Sequence, residues 1–382
     1  MKFKNAYSIE DLRQIARTRM PDVAFQYLES GTDHEHVIEK NQNQFRSMEF
    51  IPSFCLPTKK PDLKIKLFGY EYDSPIGMAP IGLTGLIWPG SEKKLALTAD
   101  KFNTPFCLST VSTSCPEEIG RLSIKNQIKW FQLYPPKDQH ILDSLLTRID
   151  VEGFETLVVT VDIPAPSIRE RSKRHGVTVP LKFSWKLIID VIRHPQWFFA
   201  TILNGFPRLK TVENYANNNS LRFVNEFVGN RLGGVVDWEY IENIRAKWKG
   251  NLIIKGLMNP EDGLKARKLG VDCVYVSNHG GRQFDANPCT LNVLPKFREL
   301  LGDDFPLIVD GGFRSGLDIL KGLNCGADMV FLGRPFLYGL GANYDKGSAR
   351  AHEILVDQLS SAMMQLSIKN IAELRSLKRY ES

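Results

Sequence analysis

Between residues 76 and 334 the chain repeats one theme: a short apolar run rich in β-branched residues, then an amphipathic stretch with helical spacing. The runs are IGMAP (76–80), PFCLST (105–110), KWFQLY (129–134), TLVVTVD (156–162), NLIIKG (251–256), CVYVSN (273–278), PLIVDGG (306–312) and MVFLGR (329–334). Runs that are apolar throughout, rather than alternating, suit strands buried on both faces. Helices are expected over 91–102, 116–123, 137–150, 237–248, 260–269, 291–301, 315–323 and 348–366. Eight such units predict an α/β fold, a (β/α)8 TIM barrel. An open doubly wound sheet usually has fewer strands and a Gly-x-Gly-x-x-Gly turn after the first, and that turn is not present.

The 382 residues, 43% of them hydrophobic, are read as one barrel domain over 1–382, with a helical segment over 1–60 and an insertion over 163–236. Ser8 with Asp11 has capping-box form, and Ile9, Leu12, Ile15 and Ala16 follow at helical spacing. Pro21 can open a second helix that Gly31 can end. The six cysteines show no Cys-x-x-Cys pair and no zinc spacing, so free thiols in a reducing compartment are expected, with no metal. The start, MKFKNAYSIEDLRQ, lacks the apolar core of a signal peptide, and no run of about 18 apolar residues is present.

Polar and glycine residues collect where the runs end, the face on which barrel enzymes place their chemistry. Strands seven and eight end in DGGFRSG (310–316) and GRPF (333–336). Gly311 and Gly312 let the backbone approach an anion, and Arg314 and Arg334 supply positive charge, which together suit a phosphate. Strand six ends in SNHGGRQFD (277–285). There His279 can serve as a base near neutral pH and Arg282 can grip a carboxylate through two parallel hydrogen bonds. Asp162, leaving strand four, is placed to orient that histidine across the mouth; its plainer role is a turn cap. Lys255 closes strand five and faces the mouth, as a functional cation or in a structural ion pair.

SNHGGRQ together with DGGFR, GRPF, FQLY and TVD resembles the FMN-dependent 2-hydroxy-acid dehydrogenases, a family that includes glycolate oxidase, lactate oxidase and mandelate dehydrogenase. The likeness runs from the YLESG stretch to the last barrel helix, and HPQW (194–197), LNG (203–205) and NPED (259–262) lean toward its bacterial respiratory L-lactate dehydrogenase branch. The resemblance implies FMN as cofactor and oxidation of an L-2-hydroxy acid, L-lactate above others, to the 2-keto acid. It implies His279 as the base, Asp162 as its partner, and Tyr134 on the reacting oxygen. Arg282, Tyr27 and Arg169 are implied on the substrate side. Pro80, Ile81, Gly82, Ser109, Gln132, Thr160 and Ser277 would line the flavin ring and ribityl chain, with Lys255 near its N1 and O2. Asp310, Gly311, Gly312, Arg314, Gly333 and Arg334 would hold the tail and phosphate. A homo-oligomer, a tetramer in the family, is likewise implied.

Oxygen-using members often carry alanine where Gly82 stands, which favours a dehydrogenase. APSIRERS (165–172) and LYPPKD (133–138) depart from the family pattern, and both shape the substrate pocket. Between Arg171 and Lys210, eight Lys or Arg face one acid, Asp190, a local balance of +7 beside +6 for the whole chain. A uniformly basic nucleic-acid binder would not show this pattern, because outside the segment the charge sums to about −1. Residues 179–206 mix these charges with Phe183, Trp185, Trp197, Phe198 and Phe199, a composition suited to lying on anionic lipid. The expectation is a peripheral protein on the cytoplasmic face of the inner membrane that passes electrons to quinone. The alternatives are a lid or subunit contact for the insertion, and for the function a soluble oxidase making H2O2, an FMN isomerase acting on a diphosphate, or a non-catalytic scaffold.

Overall fold

The computed structural model describes residues 2–56, 59–176, 184–216, 232 and 236–380. Its centre is a closed barrel of eight parallel strands: β1 (Ile76–Met78), β2 (Phe106–Ser109), β3 (Lys129–Leu133), β4 (Thr156–Thr160), β5 (Asn251–Leu257), β6 (Cys273–Val276), β7 (Leu307–Val309) and β8 (Met329–Leu332). Each lies within one of the eight apolar runs, except that β5 extends one residue beyond its run, to Leu257. Closure is made by β8 on β1, with Val330 opposite Ile76 and Leu332 opposite Met78. Nearly every strand residue is buried, because helices cover the outside while side chains fill the inside. Within the barrel, the Phe331 ring lies 5.1 Å from Trp130 and 5.3 Å from Tyr275. Gly77 makes room for it: a Cβ there would sit 2.4 Å from that ring.

The outer helices follow the expected order, with ends shifted by a few residues; the longest is Gly347–Gln365. An added helix, Arg334–Ala342, starts directly at the end of β8. It packs on the N-terminal helix Ile9–Arg19, where Gly341 lets Ala16 and Met20 approach. That N-terminal helix begins with the Ser8–Asp11 capping box read from the sequence. The helix Asp22–Glu29 follows Pro21 and stops at Ser30, one residue before Gly31. The helix His36–Arg46 lies inside the helical segment expected over 1–60, while the hairpin Ile65–Leu67/Tyr70–Tyr72, whose turn residue Phe68 lies against Trp130, lacked a sequence signal.

Of the insertion, the described part holds the short helix Glu170–Arg174 and two longer helices, Trp185–Arg193 and Pro195–Asn204. Phe183 and residues 179–182 lie outside the described residues. Two sequence readings need correction here. Trp197 is not an outward-facing aromatic: it is buried and its indole N–H reaches the carbonyls of Leu86 and Ile87 at 3.1 and 3.2 Å. The positive charge is also less free than its count suggests. Arg171 pairs with Glu35, Arg174 with Glu170, Arg208 with Glu213 and Lys210 with Glu118. Lys186 and Arg193 are exposed and make no ion pair with a described residue.

Candidate active site

All eight strands end at one mouth, and the pocket there gathers residues that are far apart in sequence. It is lined by Tyr27, Pro80, Ile81, Gly82, Tyr134, Arg169, Lys255, His279, Arg282, Asp310 to Arg314, Gly333 and Arg334, among others. Of the residues singled out in the sequence, only Ser109, Gln132, Thr160, Asp162 and Ser277 fall outside this lining. Two of these five, Asp162 and Ser277, support lining side chains directly.

Asp162 is one of them. Its two carboxylate oxygens each lie 3.0 Å from His279 Nδ1. Gly256 makes this approach possible: it sits in a β-bulge of β5 with φ +105°, and a Cβ there would come 2.6 Å from Asp162 Cβ. His279 itself has a left-handed backbone, φ +55°, held by its N–H on Ser277 Oγ at 3.0 Å. Burial lowers the imidazole from its ordinary value, against the upward pull of Asp162. Burial pushes the Asp162 carboxyl up, but His279 and Lys255 more than offset this and keep it below its usual value. An ionised Asp162 can only accept, so Nδ1 carries the proton and Nε2 keeps its lone pair, as a base requires.

Lys255 is buried, 2.8 Å from Ser277 Oγ and 3.6 Å from Asp310 Oδ2. The ion pair and the pocket position are therefore both present: the amine is held in place at the floor of the mouth. Ser277 completes the network by donating to Asp310 Oδ1 at 2.6 Å. Ser109 donates to Gln132 Oε1 at 2.8 Å, which leaves Gln132 Nε2, like Thr160 Oγ1, buried without a partner. Buried donors without acceptors are costly, and these two sit at the C-terminal ends of β3 and β4, where a polar ring edge would satisfy them.

The arginines form the opposite side. Arg282 donates to the carbonyls of Tyr27 and Ser30 at 2.9 and 2.8 Å and lies over the Tyr27 ring. Arg334 reaches the carbonyls of Leu28, Gly280 and Ser30. Both thus grip the C-terminal end of the helix Asp22–Glu29 and fix Tyr27, whose hydroxyl donates to the Gly82 carbonyl at 2.9 Å. Burial, then Arg169 nearby, pushes the Arg282 guanidinium down to about 9. Among the described residues no acid pairs with Arg169, Arg282, Arg314 or Arg334. Four cations without a counter-charge make the pocket a receptor for anions.

Gly311 and Gly312 have φ +101° and +89°, so their conformation needs glycine, and a Cβ on Gly312 would meet the Asn41 carbonyl at 2.7 Å. Beside them the Arg334–Ala342 helix presents its N-terminus, with Gly333 as N-cap. Backbone N–H groups, a helix start and two arginines suit a phosphoryl group. The Gln132 and Thr160 donors, the Lys255 amine and this phosphate cradle together fit a flavin mononucleotide in polarity.

Some residues that shape the site escaped the sequence reading. Asn41 exchanges two hydrogen bonds with Asn278, at 3.0 and 2.8 Å, and Asp285 accepts the first N–H groups of the His36–Arg46 helix. Asn41 lies in a polar stretch with no distinguishing pattern, so only the fold reveals its partner. Val111 faces Gly82, where a Cβ would meet its methyl at 2.5 Å; being apolar, it carried no chemical signal.

The family model for FMN-dependent dehydrogenases matches residues 16–379. An L-lactate dehydrogenase of Stenotrophomonas maltophilia (strain R551-3) is 34% identical over 366 residues, covering 95% of this chain and 96% of that protein. One from Acinetobacter baylyi is 32% identical over 369 residues, covering 96% and 95%. The crystal structure of a monotopic membrane protein, (S)-mandelate dehydrogenase, superposes with a TM-score of 0.94 at 30% identity, covering 99% of this chain and all of the other.

Proposed function

Because this chain belongs to the FMN-dependent dehydrogenase family, we propose that it oxidises L-lactate or a closely similar L-2-hydroxy acid to the 2-keto acid and delivers the electrons to a membrane quinone. The observation that carries this reading is that His279, backed by Asp162, lines one pocket with Arg282 and Arg169, which have no acidic partner among the described residues. A 2-hydroxy acid offers a carboxylate for the arginines and a hydroxyl-bearing carbon for the base. The chain is read as one FMN-binding domain, and as a homo-oligomer by likeness to its family.

Arg282 and Arg169 hold the substrate carboxylate, with Tyr27 beside them. Tyr134 is half-buried in the pocket wall, and desolvation there raises its pKa and keeps its hydroxyl protonated as a donor to the substrate oxygen. His279 Nε2 takes the proton released on oxidation, and Asp162 stabilises the imidazolium that results. When bound, FMN accepts the two electrons of the oxidation. Lys255 would supply positive charge where the reduced ring gathers negative charge, and Gln132 and Thr160 would donate to its polar edge. Arg314, Gly312 and Arg334 would hold its phosphate.

Anaerobic mixing of the holoenzyme with L-lactate, glycolate and (S)-mandelate tests the reading by flavin bleaching. Bleaching by L-lactate is expected; a flavin bleached by none of the three would reject it. (S)-Mandelate is the second reading, favoured by the mandelate dehydrogenase superposition. An oxygen electrode distinguishes the oxidase alternative, which Gly82 and the membrane-suited insertion disfavour.

Replacing Lys255 with methionine should lower the flavin midpoint potential by about 30 mV or more, since ~1.4 kcal/mol of lost stabilisation corresponds to that shift for two electrons. A redox titration measures it, and an unchanged potential would reduce Lys255 to a structural partner of Asp310.

A further inference from the structure

Asp190 is the lone acid between Arg171 and Lys210. It lies on the insertion helix Trp185–Arg193, yet its carboxylate serves another helix. Asp22–Glu29 begins after Pro21, which has no side-chain group to cap it. Its first N–H, that of Asp22, donates to Asp190 Oδ2 at 2.6 Å, across 168 residues of sequence. His194 holds the acceptor from behind, its Nδ1 2.7 Å from the Asp190 carbonyl and 3.5 Å from Oδ1. A carboxylate here satisfies an otherwise unpaired N–H and complements the helix dipole.

The far end of the same helix carries Tyr27, with Arg282 and Arg334 on its last carbonyls. At eight residues it is about two turns long, so a displacement at Asp22 reaches Tyr27 without an interior to absorb it. We propose that Asp190 is a positioning residue for Tyr27, seating this short helix against the pocket and linking the insertion mechanically to substrate binding. The inference rests on the reading of Tyr27 as part of the carboxylate site. Arg17 and His175 hold the Asp22 carboxylate, Arg171 bonds Gln26 and Ser172 bonds Ser30 at the far end, and among the described residues Asp190 is the acceptor of the first N–H of the helix.

The test is anaerobic flavin reduction by L-lactate in the holoenzymes of Asp190→Ala, Asp190→Asn, Tyr27→Phe and the Asp190→Ala/Tyr27→Phe double variant. Asp190→Ala should weaken apparent substrate binding about five-fold, the size of one lost cap. Asp190→Asn, which keeps an acceptor oxygen, should stay within about two-fold of wild type. FMN content and flavin absorption should not change. In the Tyr27→Phe background Asp190→Ala should add nothing, because it acts through that side chain. If the alanine protein does not fold, Asp190→Leu, similarly branched but without an acceptor, takes its place. Wild-type kinetics for Asp190→Ala beside an impaired Tyr27→Phe would overturn this proposal alone. So would effects that multiply in the double variant. An unimpaired Tyr27→Phe would overturn the role of Tyr27 as well.

Discussion

Replacing His279 with glutamine should leave a yellow, FMN-loaded protein whose flavin L-lactate reduces at a rate lower by several orders of magnitude. Glutamine roughly fills the space of the imidazole and can hydrogen-bond Asp162, so the pocket keeps its shape. What it cannot do is take a proton. A positioned base alone contributes about 10²- to 10⁴-fold, and losing the imidazolium that Asp162 stabilises adds to that. Stopped-flow reduction under anaerobic conditions reads the rate directly, and a wild-type rate would remove His279 from the base role. The same assignment has a signed pH dependence. Only the unprotonated imidazole can accept, and burial holds its pKa below the ordinary 6.5. The base form therefore dominates at neutral pH. The reduction rate should be flat from there upward and fall as the pH drops through that lowered value. An acidic limb centred above 6.5 would mean that substrate or cofactor reverses the effect of burial.

The second large effect concerns the insertion. Its two helices turn their apolar stripes outward: Trp185, Ile188, Ile189 and Ile192 on one, Phe199, Ile202, Leu203 and Phe206 at and beyond the other. Helical spacing places Trp185, Ile188, Ile189 and Ile192 on one face and Phe199, Ile202 and Leu203 on another, and Trp185 and Leu203 are 81% and 84% exposed. A helix packed as a lid would turn such a stripe inward; here the inward positions are Trp197 and Thr201. Among the described residues no helix is long and apolar enough to cross a membrane. The expected result is that the protein co-sediments with anionic vesicles, while a Trp185→Ser/Ile192→Asp/Leu203→Asp variant stays in solution and still reduces its flavin with L-lactate. Fully burying one large apolar side chain is worth about 1.5–3 kcal/mol, and each free basic residue near the surface about 1 kcal/mol. With several apolar side chains against Lys186 and Arg193, apolar burial dominates, so high salt should release only a minor fraction. Wild-type protein that remains in the supernatant at low salt would instead make this face a subunit contact. Point changes are the sound experiment, because deleting 179–206 would also remove the Trp197 anchor and the Asp190 cap.

How much of this was written in the sequence depends on whether the signal is local. Continuous apolar runs mark strands because burial on both faces demands them, so the eight-stranded barrel was legible. The exits were legible for a similar reason: glycine, histidine and arginine next to an apolar run have few purely structural uses, which marked His279, Arg282 and Arg314. The charge count of the insertion was also plain, but its meaning was not. Whether Arg208 or Lys210 is free depends on Glu213 and Glu118 lying beside them, and Trp197 points inward only because the Leu86 and Ile87 carbonyls await its indole.

What composition and spacing determined, then, was the barrel, the end of it that carries the chemistry, and the residue types found there. Tertiary structure alone decided how those types become a site. The bulge at Gly256 lets Asp162 reach His279, and the carbonyls ending the Asp22–Glu29 helix are met by Arg282 and Arg334. Asp190 caps that helix from 168 residues away. Local pattern records which face of a segment is buried, through the period of its side chains. It carries no record of which distant donor will stand within 3 Å of a given acceptor, because that pairing is set by closure of the barrel and the docking of helices on its mouth.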